Sequence, residues 1–203
     1  DEYSHSSIRN LYLDTPDFRL IRRSLEKPVY KEKLRLRSYG RADREHPVFM
    51  ELKKKYRSIV YKRRLTLPYG RALDCLTGDC PWPETQIGRE IGYAMDFYPD
   101  LEPRVFLSYE RDSWYAPESG LRITFDDAIR FRTADLTLDS DLWGTALLRP
   151  DQVLMELKAP GAIPLWMVRL LTEMGLYKTS FSKYGTAYQI LLEQEYKGGK
   201  RYA

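Results

Sequence analysis

The stretch Lys31–Gly40, KEKLRLRSYG, decides how this chain is read. A period of two places Lys33, Arg35 and Arg37 on one side of a strand and Leu34 and Leu36 on the other. A half-buried strand turns its apolar side to a core, and its polar side usually mixes charges because like charges side by side repel. A row of cations with nothing to neutralise it calls for an anion from elsewhere. The same period recurs outward along the chain. In FMELKKKY (49–56), Glu51 and Lys53 share a face opposite Met50 and Leu52. In VYKRRLTL (60–67), Lys62 and Arg64 lie with Thr66. Tyr109 and Arg111 share a face in FLSYERDSW, as do Arg122, Thr124 and Asp126 in LRITFDD. Glu156 and Lys158 do so in VLMELKAP, opposite Met155 and Leu157.

A charged face on one strand is an ordinary solvated face. Six such strands, mostly cationic and backed by apolar faces, point to a different arrangement. The spacing predicts helices over TPDFRLIRRSLEKP, over a stretch at about 70–98, and over about 163–196. If those helices pack outside, the charged faces look inward. The expected fold is therefore α+β: an antiparallel, eight-stranded-type β tunnel with a basic lumen and helices outside, a single domain over 1–203. Like charges in a poorly solvated lumen repel strongly, so such a lumen implies a polyanionic ligand. Glu51 and Glu156 are the inward carboxylates and the candidate ligands for a hard divalent cation.

Several classes are excluded or disfavoured. The net charge of +4, from 33 basic and 29 acidic residues, is too mild to imply nucleic acid by itself. Most aromatics, such as Phe106, fall opposite the cations, and Tyr109 is the main exception, so no nucleic-acid partner is expected. No apolar run approaches the roughly 20 residues of a membrane helix, and DEYSHSSIRN carries no signal-peptide pattern. Cys75 and Cys80 read as ordinary thiols of a reducing, cytoplasmic protein, with His5 and His46 too distant in sequence to complete a zinc site. Neither a Walker loop nor G-x-G-x-x-G nor G-x-S-x-G is present. Any phosphate would be held by side chains, and chemistry would rest on positioning and charge neutralisation.

The ordered set NLYLDTPDFRL, KLRLRSYG, FMELKKKY and a late MELK resembles the triphosphate tunnel metalloenzyme, or CYTH-like, superfamily. Within it, KLRLRSYG, ELKKKY with VYKRR, and the closing FSKYGTAY resemble the VTC domain, the polyphosphate polymerase domain of a vacuolar transporter chaperone complex with bacterial relatives. The resemblance implies transfer of the ATP γ-phosphate onto polyphosphate with Mn²⁺ or Mg²⁺. ATP, polyphosphate, triphosphate or pyrophosphate are then ligands, and a membrane-bound partner is possible. It assigns catalytic roles to Arg35, Arg37, Lys53, Arg111 and Arg122. Phosphate contacts fall to Lys62, Ser182 and Lys183, joined from the alternation by Lys33, Arg64, Lys158 and Tyr109. Metal binding falls to Glu156, with Glu51 as the second carboxylate. It also implies an initial E-x-E-x-K strand that DEYS does not supply, so the first strand is expected to be missing, leaving a seam. On repulsion alone, Arg35→Ala and Arg111→Ala should leave the fold intact.

Overall fold

The computed structural model describes residues 4–199, so most of DEYS and the last residues of the basic tail lie outside the described residues. In chain order the elements are β1 (His5–Asp14), α1 (Arg19–Leu25), β2 (Tyr30–Tyr39), β3 (Pro47–Tyr56), β4 (Ile59–Pro68), α2 (Tyr69–Thr77) and α3 (Gln86–Phe97). They continue with β5 (Glu102–Ala116), β6 (Leu121–Arg132), β7 (Thr145–Ala146), β8 (Leu154–Lys158), α4 (Leu165–Glu173) and α5 (Lys183–Gly199). The strands form one eight-stranded antiparallel sheet in the order β4-β3-β2-β1-β5-β6, with β7 and β8 both paired to β6.

The sheet differs from the expected closed tunnel. Among the described residues β4 is hydrogen-bonded to β3 alone and β8 to β6 alone, so the two edges do not meet. β8 has five residues against ten in β4, too short to pair along a full neighbour.

Local chemistry explains the elements. Gly40 closes β2 at φ 79°, and Gly120 ends the β5–β6 turn at φ 63°, where a Cβ would stand 2.9 Å from the Pro160 ring. The LDTPDF segment starts α1. Buried Asp14 accepts from the backbone N–H of Leu20 and Ile21 and from the Tyr184 hydroxyl, while the Thr15 hydroxyl oxygen accepts from Arg19 N.

Two apolar cores lie on opposite faces of the sheet. Leu11, Leu13, Leu34, Leu36, Met50, Leu52 and Phe106 pack under α2 and α3. Ile8, Tyr12, Val105, Leu107, Tyr109 and Phe131 pack with Tyr184, Ala187 and Tyr188 of α5. This second core corrects the expectation that all helices pack outside. β1 is buried on both faces from Ile8 to Asp14 and β5 from Val105 to Tyr109, so each needs cover on both sides. Part of the concave face is thus filled by α5, and the cations occupy what remains.

One irregularity sets the aim of β6. Ser108 pairs with Arg130 but Glu110 pairs with Asp127, so β6 carries an extra residue opposite Tyr109, with Ala128 at φ 45°. Below the bulge Ile129 and Phe131 face the second core. Above it Asp126 lies against Arg111 on that same face. On the outer layer, Cys75 and Cys80 are free thiols with sulfurs 2.9 Å apart, and burial with the neighbouring Cys80 pushes the Cys75 thiol up to about 12.

Candidate functional site

The concave face holds a cleft of about 920 Å³, walled by strands β1 to β5 and β8 and roofed by the segment from Leu171 to Tyr184. That lies at the upper end of ordinary ligand cavities, about 300–1,000 Å³, but its polar walls are cationic where such cavities are mostly apolar. Lys33, Arg35, Arg37, Lys53, Lys62, Arg111, Lys158 and Lys183 all line it, as do Tyr109, Ser182, Glu51 and Glu156. The sheet therefore brings together twelve of the fourteen residues proposed from the sequence. Arg64 and Arg122 are not among the lining residues. Arg64 is exposed and opposite Glu51 in register; Arg122 is exposed and opposite Lys158, out at the mouth.

Two carboxylates organise the arginines. Glu51, 2% exposed at its side chain, accepts from Arg35 at 2.7 and 2.6 Å, from Lys62 at 2.7 Å and from Arg64 at 2.8 and 2.6 Å. Burial alone would raise its carboxyl, but Arg35, Arg37 and Lys62 hold it well below the usual carboxylate range. Its oxygens are spent on cations, so Glu51 fits the role of arginine positioner and does not fit that of metal ligand. Asp126, fully buried, accepts two bonds from Arg111 at 2.6 and 2.8 Å and pairs with Lys183 at 2.5 Å. Burial pushes its carboxyl up, and Arg111 and Lys183 more than reverse this. The alternation placed Asp126 on the correct face, but the sequence reading named only Glu51 and Glu156 as inward carboxylates and gave Asp126 no role.

The tyrosines fix the rest. Arg35 also donates to Tyr12 Oη at 3.0 Å, and Arg37 donates to Asn10 Oδ1 at 2.8 Å and to Tyr109 Oη at 3.2 Å. Arg111 and Lys183 sit over the Tyr109 ring, 5.1 and 4.6 Å from its centre. Tyr109 is nearly closed off from solvent, so it acts on these three cations as a platform. Tyr12 stacks on Tyr184 with centroids 4.4 Å apart. Burial would raise its phenol, yet Arg35, Lys33 and Arg37 pull it down to about 8. Neither Tyr12 nor Asn10 carried a signal in the period of two beyond lying on β1.

Ser182 immediately precedes α5, accepting from Gly185 N at 3.2 Å and from Lys33 Nζ at 3.0 Å. The start of this helix thus opens beside the cleft with its positive dipole end, a placement that favours anions. Glu156 is half-exposed at the rim, 3.2 Å from Lys158 Nζ, and its carboxyl, though raised by burial, is brought down chiefly by Lys158. No group of three or more His, Cys, Asp or Glu among the described residues is placed to hold a metal. Glu156 alone fits the way Mg²⁺ binds in phosphate sites, through one or two carboxylates together with substrate oxygens.

The sequence matches the model of the VTC domain over residues 1–192, and the chain belongs to that family. A solved structure from Bacillus halodurans, provisionally described as an adenylate cyclase, superposes with a TM-score of 0.52 at 16% identity, covering 90% of this chain and 81% of that one. At that identity the likeness speaks for the fold. No curated protein matches the chain. No described helix is long and apolar enough to cross a membrane.

Proposed function

We propose that the cleft binds the phosphates of ATP and of an inorganic polyphosphate and transfers the γ-phosphate of ATP onto the polyphosphate end. The observation that carries this reading is the convergence of eleven cations on one cleft, with the buried carboxylates withdrawn into clamps behind the arginines. Phosphoryl transfer asks for positioned positive charge around an in-line exchange of oxygens, and little covalent chemistry from the protein. Arg35, Arg37 and Arg111 present planar forks suited to phosphate oxygens, already oriented by Glu51, Asn10, Tyr109 and Asp126. Such orientation lowers the reorganisation required as charge moves from the leaving to the attacking oxygen. Lys53, Lys62, Lys158 and Lys183 supply point charge along the walls, and Arg122 at the mouth meets the chain as it enters or leaves. Glu156 is the residue that would hold a Mn²⁺ or Mg²⁺, which when bound would supply neutralisation of phosphate charge. Family membership supports the same reading.

Incubation with ATP and Mn²⁺, followed by gel staining for long-chain polyphosphate, tests it. Polymer is expected. Phosphate release without polymer overturns the transferase reading in favour of a tripolyphosphatase or nucleoside triphosphatase. The clamping of Glu51 and Asp126 argues against that alternative, because it leaves Glu156 as the one lining carboxylate not held by arginine.

A further inference from the structure

The cleft contains a second set of cations that the arginine chemistry does not use. On β2 and β3, Lys31 stands directly opposite Lys55, and Lys33 directly opposite Lys53. All four line the cleft. Like charges facing across an antiparallel pair are destabilising. Among the described residues no carboxylate stands within ion-pair distance of any of the four. Their partners are neutral: Lys31 Nζ donates to Ser24 O at 3.0 Å and Lys33 Nζ to Ser182 Oγ at 3.0 Å. Burial and then the neighbouring lysines Lys55, Lys53 and Lys27 lower the Lys31 ammonium. The contrast with Glu51 and Asp126 is sharp, since Arg35 and Arg111 each have a counter-ion in place.

Position adds a length. Lys31 lies four residues from Arg35 on β2, about 13 Å along a strand. The ladder runs in line with the arginines, toward the β3–β4 turn, so one linear ligand along β2 would meet the arginines first and the lysines after.

We propose that Lys31, Lys33, Lys53 and Lys55 form a chain-length subsite, which binds the part of a linear polyphosphate extending beyond the phosphates held by Arg35, Arg37 and Arg111. The proposal rests on the phosphate-binding reading of the cleft and assigns Lys31 and Lys55 their role. A ligand of three phosphates occupies the arginine end. A long chain occupies both ends and relieves the repulsion in the ladder. The site then prefers long polyanions over short ones through a set of residues distinct from those that orient the reacting phosphates.

The test compares tripolyphosphate with a long-chain inorganic polyphosphate, each titrated calorimetrically into the full protein and into K31Q/K55Q. The variant is expected to bind the long chain about tenfold more weakly, the order expected for two lost contacts of about 1 kcal/mol or less each. Tripolyphosphate affinity should stay within about twofold, on the same arithmetic. A control, K54Q/R89Q, removes two cations that do not line the cleft, and should leave both affinities unchanged. Equal loss for both ligands, loss for neither, or equal loss in the control overturns the subsite. Failure of the unaltered protein to bind tripolyphosphate is a separate result, which overturns the phosphate reading underneath it. Unfolding curves for K31Q/K55Q guard against misfolding, and a loss of stability would also count against the ladder, since relief of repulsion should raise it.

Discussion

The two ends of the cleft handle positive charge in opposite ways. At one end arginines are tied to buried carboxylates and tyrosine hydroxyls, so the geometry is set before any ligand arrives. At the other, lysines face lysines on neighbouring strands with only neutral hydrogen-bond partners. The first arrangement suits orientation, because a planar fork held at two points presents its remaining donors in one direction. The second suits affinity without geometry, since a flexible ammonium follows whatever anion is near. A cation in this fold is therefore structural or ligand-dependent according to what stands behind it, and the difference is open to measurement.

Removing a charge at the clamped end should destabilise. Glu51→Gln leaves Arg35, Lys62 and Arg64 crowded without their counter-ion, and a loss of about 3 kcal/mol is expected in denaturant unfolding. An unchanged midpoint would mean the clamp carries no energy. Arg111→Ala strips Asp126 of its bidentate partner and leaves Lys183 alone to satisfy a fully buried carboxylate. About 2 kcal/mol of stability should go with the activity. This reverses the expectation from repulsion alone, under which the fold would be indifferent. Retained turnover in Arg111→Ala would remove the residue from the site.

The tyrosine between the two ends gives a pH signature. Tyr12 ionises near 8 in the native protein against 10.0 for an ordinary phenol. Between those values the native state binds fewer protons than the unfolded state, so this contribution to stability grows as pH rises from about 8 to 10 and is lost as pH falls through 8. Tyrosinate absorbance should show one early-titrating group that is absent in Tyr12→Phe. An unchanged titration in that variant would place the early proton elsewhere. The smallest effect belongs to the lysine end: without ligand, K31Q/K55Q should gain about 0.5 kcal/mol, and in high salt the gain should shrink as screening weakens the repulsion it relieves.

Much of this was legible in the sequence because alternation is a strong local signal. The strands from KEKLRLRSYG to VLMELKAP and the cationic faces of Arg35, Arg37, Lys53, Lys62 and Arg111 follow from a period of two. Three things did not. The clamp at Asp126 was missed: this residue lies on the same face as Arg122, yet its pairing with Arg111 depends on the β5–β6 register, which alternation does not supply. The double-sided burial of β1 and β5 was present in IRNLYLD and RVFLSY as nearly unbroken apolar runs, but its consequence, α5 filling part of the concave face, needs a partner from the far end of the chain. Closure was the third. Whether β4 meets β8 depends on pairing between strands nearly a hundred residues apart, and no local pattern encodes it.

The bulge at Ala128 makes the chain's reading frame part of its chemistry. Two different phases of β6 face inward, odd positions below the bulge and even positions above it, so a single residue keeps Phe131 in the core and Asp126 in the clamp at once. Insertions and deletions are therefore unequal in this hairpin. Lengthening the Pro117–Gly120 turn changes neither phase. Straightening the strand with Ala128 retained would turn Asp126 outward and Asp127 inward, or else eject the aromatic below, whereas deleting Ala128 removes the extra residue itself and leaves Asp126 and Phe131 both on the inner face. Such a hairpin tolerates change at its tip and the loss of its surplus residue, while any residue kept in excess at its middle needs a bulge to absorb it.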